Sequence, residues 1–247
     1  MRGLKSAVIP AIAVAALAGT ASAGISDTIF SITMQLGNGN SAVFEASLGD
    51  GTWLGNGDYE WSISNVSVMD GANEAFFIES ASLLVNEDPV VQANFTLQAG
   101  PANGVFTITS ALVSFATFGG ASGSASAAVT ITDLNGNAAG AEIGPAGGSS
   151  IYTSYFNGIP GVGTTFADLL PNTVTAPAFG SNSANEDFNG GGFWPIAGSV
   201  SNISSQWTFS LSPFDIAGGT STFEVIPAPA SLALLGLGGL AALRRRR

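Results

Sequence analysis

Short runs in which apolar and polar residues alternate fill most of the chain between residues 25 and 226. In the run 199–211, Trp207, Phe209 and Leu211 recur at every second position. Such alternation of β-branched and aromatic residues, bounded by Gly, Asn and Asp, is typical of half-buried antiparallel strands. The other runs with this character are 25–36, 42–48, 59–70, 75–85, 90–98, 104–118, 124–133 and 221–226.

The number of these runs predicts an all-β fold, an antiparallel β-sandwich of jelly-roll type. Two segments rich in Gly, Ser, Asn and Pro, 138–157 and 171–198, are predicted to be long loops across one end of the sandwich. Between them, 165–170 is predicted to form a short turn of helix. A second small domain within 140–198 is the alternative interpretation.

The first 23 residues have the three parts of a secretory signal peptide. A positively charged start is followed by an apolar stretch over 7–18. Ala21 and Ala23 form a small-x-small cleavage site, which predicts a mature chain that begins at Gly24.

The C-terminal segment 227–247 also has three parts. Pro227, Ala228 and Pro229 come first, and the apolar stretch 228–243 follows. As a helix this stretch would be roughly 24 Å long, and we expect it to cross the inner membrane with some local thinning. Four arginines end the chain and are expected on the cytoplasmic side: Arg244, Arg245, Arg246 and Arg247.

This order of proline motif, short Gly-rich apolar helix and terminal arginines resembles the PEP-CTERM sorting signal of bacterial proteins associated with exopolysaccharide. The resemblance covers only 225–247. It implies that an exosortase, a membrane-embedded cysteine protease, cuts near the motif and passes the protein to the cell surface. Ala228 stands where the family usually has Glu, so the motif is similar to a V-P-A-P variant.

Charge is segregated along the chain. All six basic residues lie in the two terminal segments, and all 17 acidic residues lie between Asp27 and Glu224, so residues 24–227 carry a formal charge of −17. The chain has no His and no Cys. These absences exclude a catalytic triad with His, a Lys nucleophile in the exported part and an ordinary zinc site, and the negative charge opposes nucleic-acid binding.

Aromatic residues in Gly-rich surroundings suggest a glycan-stacking site. Trp53, Tyr59 and Trp194 are the candidates, because flat rings match the apolar faces of sugars. Ordinary core packing is the competing interpretation, and it is favoured for Trp61 and Trp207, which lie within strand-like runs.

Alternating oxygen ligands suggest a Ca²⁺ site at Asp133, Asn135 and Asn137. An EF-hand is excluded, because its sixth position would be Ala138 and its twelfth Gly144. Asx turns on a solvated surface are the alternative interpretation of the same three residues.

Paired carboxylates remain a catalytic candidate, because a glycoside hydrolase needs only two acidic residues and no His. Asp58 with Glu60, or Glu74 with Glu79, would be the pair of a glycoside hydrolase. No spacing selects either pair, so the sequence favours a protein without enzymatic activity.

The sequence therefore predicts a signal peptide at 1–23, an exported β-sandwich at 24–226 and a sorting signal at 227–247. The expected protein is a non-catalytic component of the cell surface or of an exopolysaccharide matrix, with a carbohydrate-binding module as the alternative and a glycoside hydrolase less favoured. Signal peptidase and an exosortase are its expected processing partners.

Overall fold

A computed structural model describes residues 24–227, except positions 38, 87 and 138. The predicted signal peptide, of which Ala21 and Ala23 form the cleavage site, lies outside the described residues. So do Ala228, Pro229, the apolar stretch and the terminal arginines. Gly24, the predicted first residue of the mature chain, opens the first strand.

Antiparallel strands make up almost all of the regular structure in the described part of the chain. The strands are β1 Gly24–Ile25, β2 Thr28–Leu36, β3 Ser41–Ser47, β4 Thr52–Trp53, β5 Tyr59–Asp70, β6 Asn73–Asn86, β7 Val90–Ala99, β8 Gly104–Ser110, β9 Val113–Gly119, β10 Ala121–Thr132, β11 Ala141–Pro145, β12 Tyr152–Phe156, β13 Thr164–Leu169, β14 Val174–Ala176, β15 Ser181–Asp187, β16 Trp194–Pro195, β17 Ser199–Leu211 and β18 Ile216–Pro227. Two single turns of 3₁₀ helix, Leu48–Asp50 and Phe188–Gly190, complete the set.

The strands form two sheets. Sheet A follows the order β1-β9-β17-β8-β2-β3, with β11 and β12 also paired to β17 and with β13 and β14 outside them. Sheet B follows the order β15-β10-β18-β7-β6-β5-β4, with β16 also paired to β10. Alternation puts every second side chain of a strand on the inner face, which explains why the period-two runs became the strands of these sheets.

The hydrophobic core lies between the two sheets and is rich in aromatic rings. Phe209 of sheet A stacks on Phe95 of sheet B, with ring centroids 5.7 Å apart. Trp207 also meets Phe95, edge to face at 5.2 Å. Trp61 and Trp207 are both buried, which confirms that they are core residues. These contacts between sheets identify a sandwich that is filled by side chains.

The predicted fold class is nevertheless wrong as stated. In sheet B, β4 to β7 form a simple meander, and the next strand in the sheet, β18, pairs with β7. In a Greek key, a later strand would instead lie beside the first of three consecutive strands, here β5. This order differs from the interlocked Greek keys of a jelly roll. Among residues 24–227 no helix is long and apolar enough to cross a membrane, so the described fold does not include the predicted transmembrane helix. The segment assigned to that helix, 228–243, lies outside the described residues.

The two predicted long loops contain further strands. β11 and β12 lie in the first predicted loop, 138–157, and both pair with β17. β14, β15 and β16 lie in the second, 171–198. The predicted turn of helix at 165–170 is also wrong, because β13 pairs with β12 there. In each case a neighbouring strand supplies hydrogen bonds that override weak local propensity.

Candidate functional site

The three predicted stacking residues do not form one platform. Trp53 lies on β4 at one margin of sheet B, whereas Trp194 lies on β16 at the opposite margin. Both side chains are more than two-fifths exposed, but Tyr59 is fully buried beneath Trp53, with ring centroids 5.2 Å apart. A single sugar ring therefore cannot contact all three residues in this arrangement.

The Gly-rich loop around Trp53 is held by local hydrogen bonds. The Tyr59 hydroxyl donates to the Leu48 carbonyl oxygen at 2.9 Å, and burial raises the pKa of Tyr59. A Cβ at Gly51 would lie 2.1 Å from that hydroxyl. Only glycine therefore allows the backbone to pass this close to the Tyr59 side chain. Hydrogen bonds from the Ser47 backbone N–H and hydroxyl lower the pKa of Asp50.

The candidate carboxylate pairs remain on the surface. Asp58 accepts a hydrogen bond from the Asn56 side chain, and the neighbouring Glu60 is exposed on β5. Glu74 lies near the β5–β6 turn and lines an open cleft of ≈ 380 Å³ together with Asp70, a combination that sequence spacing did not suggest. Glu79 lies at a bulge farther along β6 and is not among the lining residues of that cleft.

The predicted Ca²⁺ ligands lie in a loop at one end of the sandwich. Asn135 Oδ1 accepts the Asn137 backbone N–H at 2.9 Å, and Asn137 Oδ1 accepts the Ala139 N–H at the same distance. These are the Asx turns of the alternative interpretation. Asp133 differs from both, because it is 2% exposed and its Oδ1 accepts N–H groups from Gly136 and Phe179.

Three loops meet around Asp133, and we call them the apex: residues 133–137, 177–180 and 212–215. The apex also carries three exposed apolar side chains, namely Leu134, Phe179 and Phe214. Phe179 and Phe214 have φ of 54° and 63°, in the left-handed region that non-glycine residues rarely adopt. The Phe179 N–H bond to Asp133 is one of the contacts that hold this strained backbone in place.

A larger feature covers the outer face of sheet B. Strand pairing aligns two rows of residues across the six strands β15, β10, β18, β7, β6 and β5, and we call these rows the hydroxyl face. The first row is Asn185, Ala128, Thr220, Asn94, Ser82 and Ser62, and the second is Ser183, Thr130, Gly218, Thr96, Ser80 and Ser64. Every one of these positions is exposed or half-buried, and none is charged.

The hydroxyl face presents closely spaced hydrogen-bonding groups. Neighbouring strands lie about 4.8 Å apart, so six strands extend over roughly 24 Å. The Asn94 amide donates to the Ser82 hydroxyl at 3.2 Å across two strands. Because Gly218 has no side chain, a shallow cleft of ≈ 390 Å³ opens between Thr130 and Thr96. A second cleft of ≈ 480 Å³ is lined by the serines of β5 and β6 and by Asn94.

Sheet A also has a polar outer face. Its corresponding row runs from Glu45 through Ser31, Thr109, Gln206 and Thr153 to Asp168. It begins and ends with a carboxylate, and so does the row of sheet B next to the hydroxyl face, which extends from Asp187 to Glu60. The hydroxyl face could not be found from the sequence, because its rows depend on the register of six strands.

Comparisons with known proteins identify no family. No family model and no curated protein matches this chain. Among solved structures, it is similar to the enzymatically active domain of bacteriophage CBA120 tailspike protein 4, with 12% identity, a TM-score of 0.26 and coverage of 56% of this chain and 18% of that one. The chain thus spans less than a fifth of the tailspike's length.

Two further structures match more of the chain. An infectious bursal disease virus structure, Gx strain, is 10% identical over 85% of this chain and 70% of that one, with a TM-score of 0.30. The K1 cleaved adhesin domain of Lys-gingipain from Porphyromonas gingivalis W83 is 12% identical over 72% and 95%, also with a TM-score of 0.30. These neighbours are β-rich tailspike, capsid and adhesin domains, and at these scores the likeness carries no argument about function.

Proposed function

We propose that this chain is an exported, non-catalytic protein of the cell surface or extracellular matrix, and that it binds a neutral polysaccharide on the hydroxyl face. The observation that carries the proposal is the pair of uncharged Ser, Thr and Asn rows across six strands. Hydroxyl and amide groups donate and accept hydrogen bonds in the same way as sugar hydroxyls. An extended glycan chain could therefore pair with many of them at once.

Charge indicates which glycans fit. Seventeen carboxylates with no basic residue in 24–227 repel an acidic polysaccharide at long range. The hydroxyl face itself lacks the cations that would be needed to bind one. A neutral polysaccharide avoids both problems, and its binding should depend little on ionic strength because no ion pair forms.

Retention of the purified full-length chain on immobilised neutral and acidic polysaccharides tests this proposal. We expect binding to at least one neutral polymer at both low and high salt. The double variant Thr96→Glu/Thr130→Glu should weaken that binding more than about tenfold, because the two new carboxylates would be desolvated without partners. The two sites flank Gly218 in the second row, one strand apart on either side.

Sheet A offers a matched control for this variant. Thr33 and Thr208 flank Thr107 in the same way on the opposite outer face, and both are half-buried. The variant Thr33→Glu/Thr208→Glu should therefore bind within about twofold of the wild type. The proposal fails if no neutral polymer is retained, or if both double variants lose binding equally.

The terminal segments support the export part of the proposal. A signal peptidase would cut after Ala23, and an exosortase-type protease would act at the motif of Pro227, Ala228 and Pro229. Pro227, the first residue of this motif, is also the last paired residue of β18. Both cuts would remove every basic residue of the chain.

The intact mass of the protein recovered from its native source tests both cuts in one measurement. We expect a chain that begins at Gly24 and lacks the four terminal arginines. Changing Arg244, Arg245, Arg246 and Arg247 to Gln should leave the N-terminal cut unaffected but block the C-terminal one. A wild-type mass equal to that of the uncut chain would refute the export proposal.

A further inference from the structure

The apex contains two buried carboxylates. Asp133 is 2% exposed, and Asp215 is fully buried. Asp215 Oδ1 accepts the backbone N–H of Leu134 at 3.3 Å and the Asn135 amide at 3.3 Å. Asp215 thus binds the backbone of Leu134, the residue that follows Asp133. The apex brings together two acids that are far apart in sequence.

The two carboxylates differ in how well their oxygens are satisfied. Asp215 also accepts a hydrogen bond from the Ser212 hydroxyl. Asp133 uses only Oδ1, which accepts the N–H groups of Gly136 at 2.6 Å and Phe179 at 3.1 Å. Its Oδ2 is buried and has no hydrogen-bond partner among the described groups. A buried carboxylate oxygen without a partner is costly, so it points to a group that would bind it.

No side chain of the exported part can supply the missing positive charge. Residues 24–227 contain no Lys, Arg or His, so neither acid can form an ion pair with the protein. Two carboxylates that are buried in the same group of loops without an ion-pair partner also repel each other. A bound cation would remove both penalties at once, because it neutralises the pair and fills the free coordination position of Oδ2.

We infer that the apex is a binding site for a hard divalent cation of the Ca²⁺ type, with Asp133 Oδ2 as a ligand and Asp215 as the second carboxylate. Ca²⁺ prefers carboxylate and carbonyl oxygens. Among the described residues no group of three or more acidic side chains is placed to hold a metal ion, so carbonyl oxygens and water would complete the shell. This inference does not depend on the proposed polysaccharide binding.

The site differs from the one that the sequence suggested. Asp133 belongs to both, but the amide oxygens of Asn135 and Asn137 are used by Asx turns. Asn135 directs its amide nitrogen to Asp215 and to the Pro213 carbonyl oxygen instead. Asp215 could not be paired with Asp133 from spacing, because it comes from the loop between β17 and β18.

Thermal unfolding of the purified full-length chain in Ca²⁺ or in EDTA tests the inference. At Ca²⁺ about 100 times above Kd, the wild-type Tm should rise by about 5–10 °C over EDTA. Asp133→Asn keeps an oxygen for the Gly136 and Phe179 N–H groups but loses the charge. We expect this variant to show no Ca²⁺ response and to melt in EDTA at or above the wild-type Tm.

Asp88→Asn is the matched control, since Asp88 is exposed and the chemical change is identical. It should keep the full wild-type response. Calorimetric titration of the wild type should give one Ca²⁺ per chain, a measurement that remains decisive if Asp133→Asn does not fold. Absence of both binding heat and a Tm shift in the wild type would overturn the inference. An undiminished response in a folded Asp133→Asn variant would do the same.

Discussion

Replacing Phe209 with Ala is expected to lower the free energy of unfolding by about 3–5 kcal/mol. Phe209 is fully buried on β17, and its ring stacks on Phe95 of the opposite sheet. It also stacks on Phe106 of the neighbouring strand, with ring centroids 5.4 Å apart. Truncation would remove both stacks and leave a cavity that the surrounding rings fill only in part. Chemical denaturation of the wild type and the variant measures the loss.

Phe193→Ala is the matched control for this change. Phe193 is 43% exposed, in the loop before β16, so the same truncation should change stability by less than about 1 kcal/mol. Equal losses at the two positions would mean that the rings between the sheets do not form the stabilising core. A loss at Phe209 of under about 1 kcal/mol would contradict the prediction directly.

The second large effect is expected at Gly140, which begins the approach to β11. Its φ is +70°, and a Cβ there would lie 2.1 Å from the Ala176 carbonyl oxygen. Gly140→Ala therefore adds a left-handed strain of about 1–2 kcal/mol to a backbone clash of about 1–3 kcal/mol. We expect a total loss of about 3 kcal/mol, measured by denaturant unfolding.

Gly147 separates these two contributions. Its φ is +72°, nearly the same as at Gly140, but nothing lies within 4 Å of the position that a Cβ would occupy. Gly147→Ala should therefore cost only the strain of about 1–2 kcal/mol. If both alanine variants lower the free energy of unfolding equally, the clash of the new methyl group with β14 costs nothing and the prediction is wrong.

The sequence alone predicted the buried residues correctly where burial follows the alternation of apolar and polar residues along one strand. The alternation in 199–211 correctly predicted that Trp207, Phe209 and Leu211 are buried on one side of a strand. The run 59–70 likewise separated Trp61, which is buried on β5, from Trp53, which is exposed on the two-residue strand β4. These predictions succeed because a period of two places side chains on one face, wherever that strand lies in the sheet.

The sequence failed where neighbours, not propensity, determine structure. β11 is a Gly- and Pro-containing segment with weak strand propensity, yet pairing with β17 and β14 makes it a strand. The hydroxyl face and the pair of buried acids at the apex depend on strand register and on loop contacts. Neither feature leaves a periodic pattern within any single run of residues.

The position of β18 has a mechanical consequence. This strand lies between β10 and β7 and is paired along nearly its whole length, up to Pro227. Tension applied to the protein through that end would pull along the axis of β18. The ladders of hydrogen bonds to β10 and β7 would then be loaded together in shear, whereas the bonds at a peeled edge open one after another. A force on this end would therefore meet more resistance than a force that peels an edge strand from the sheet.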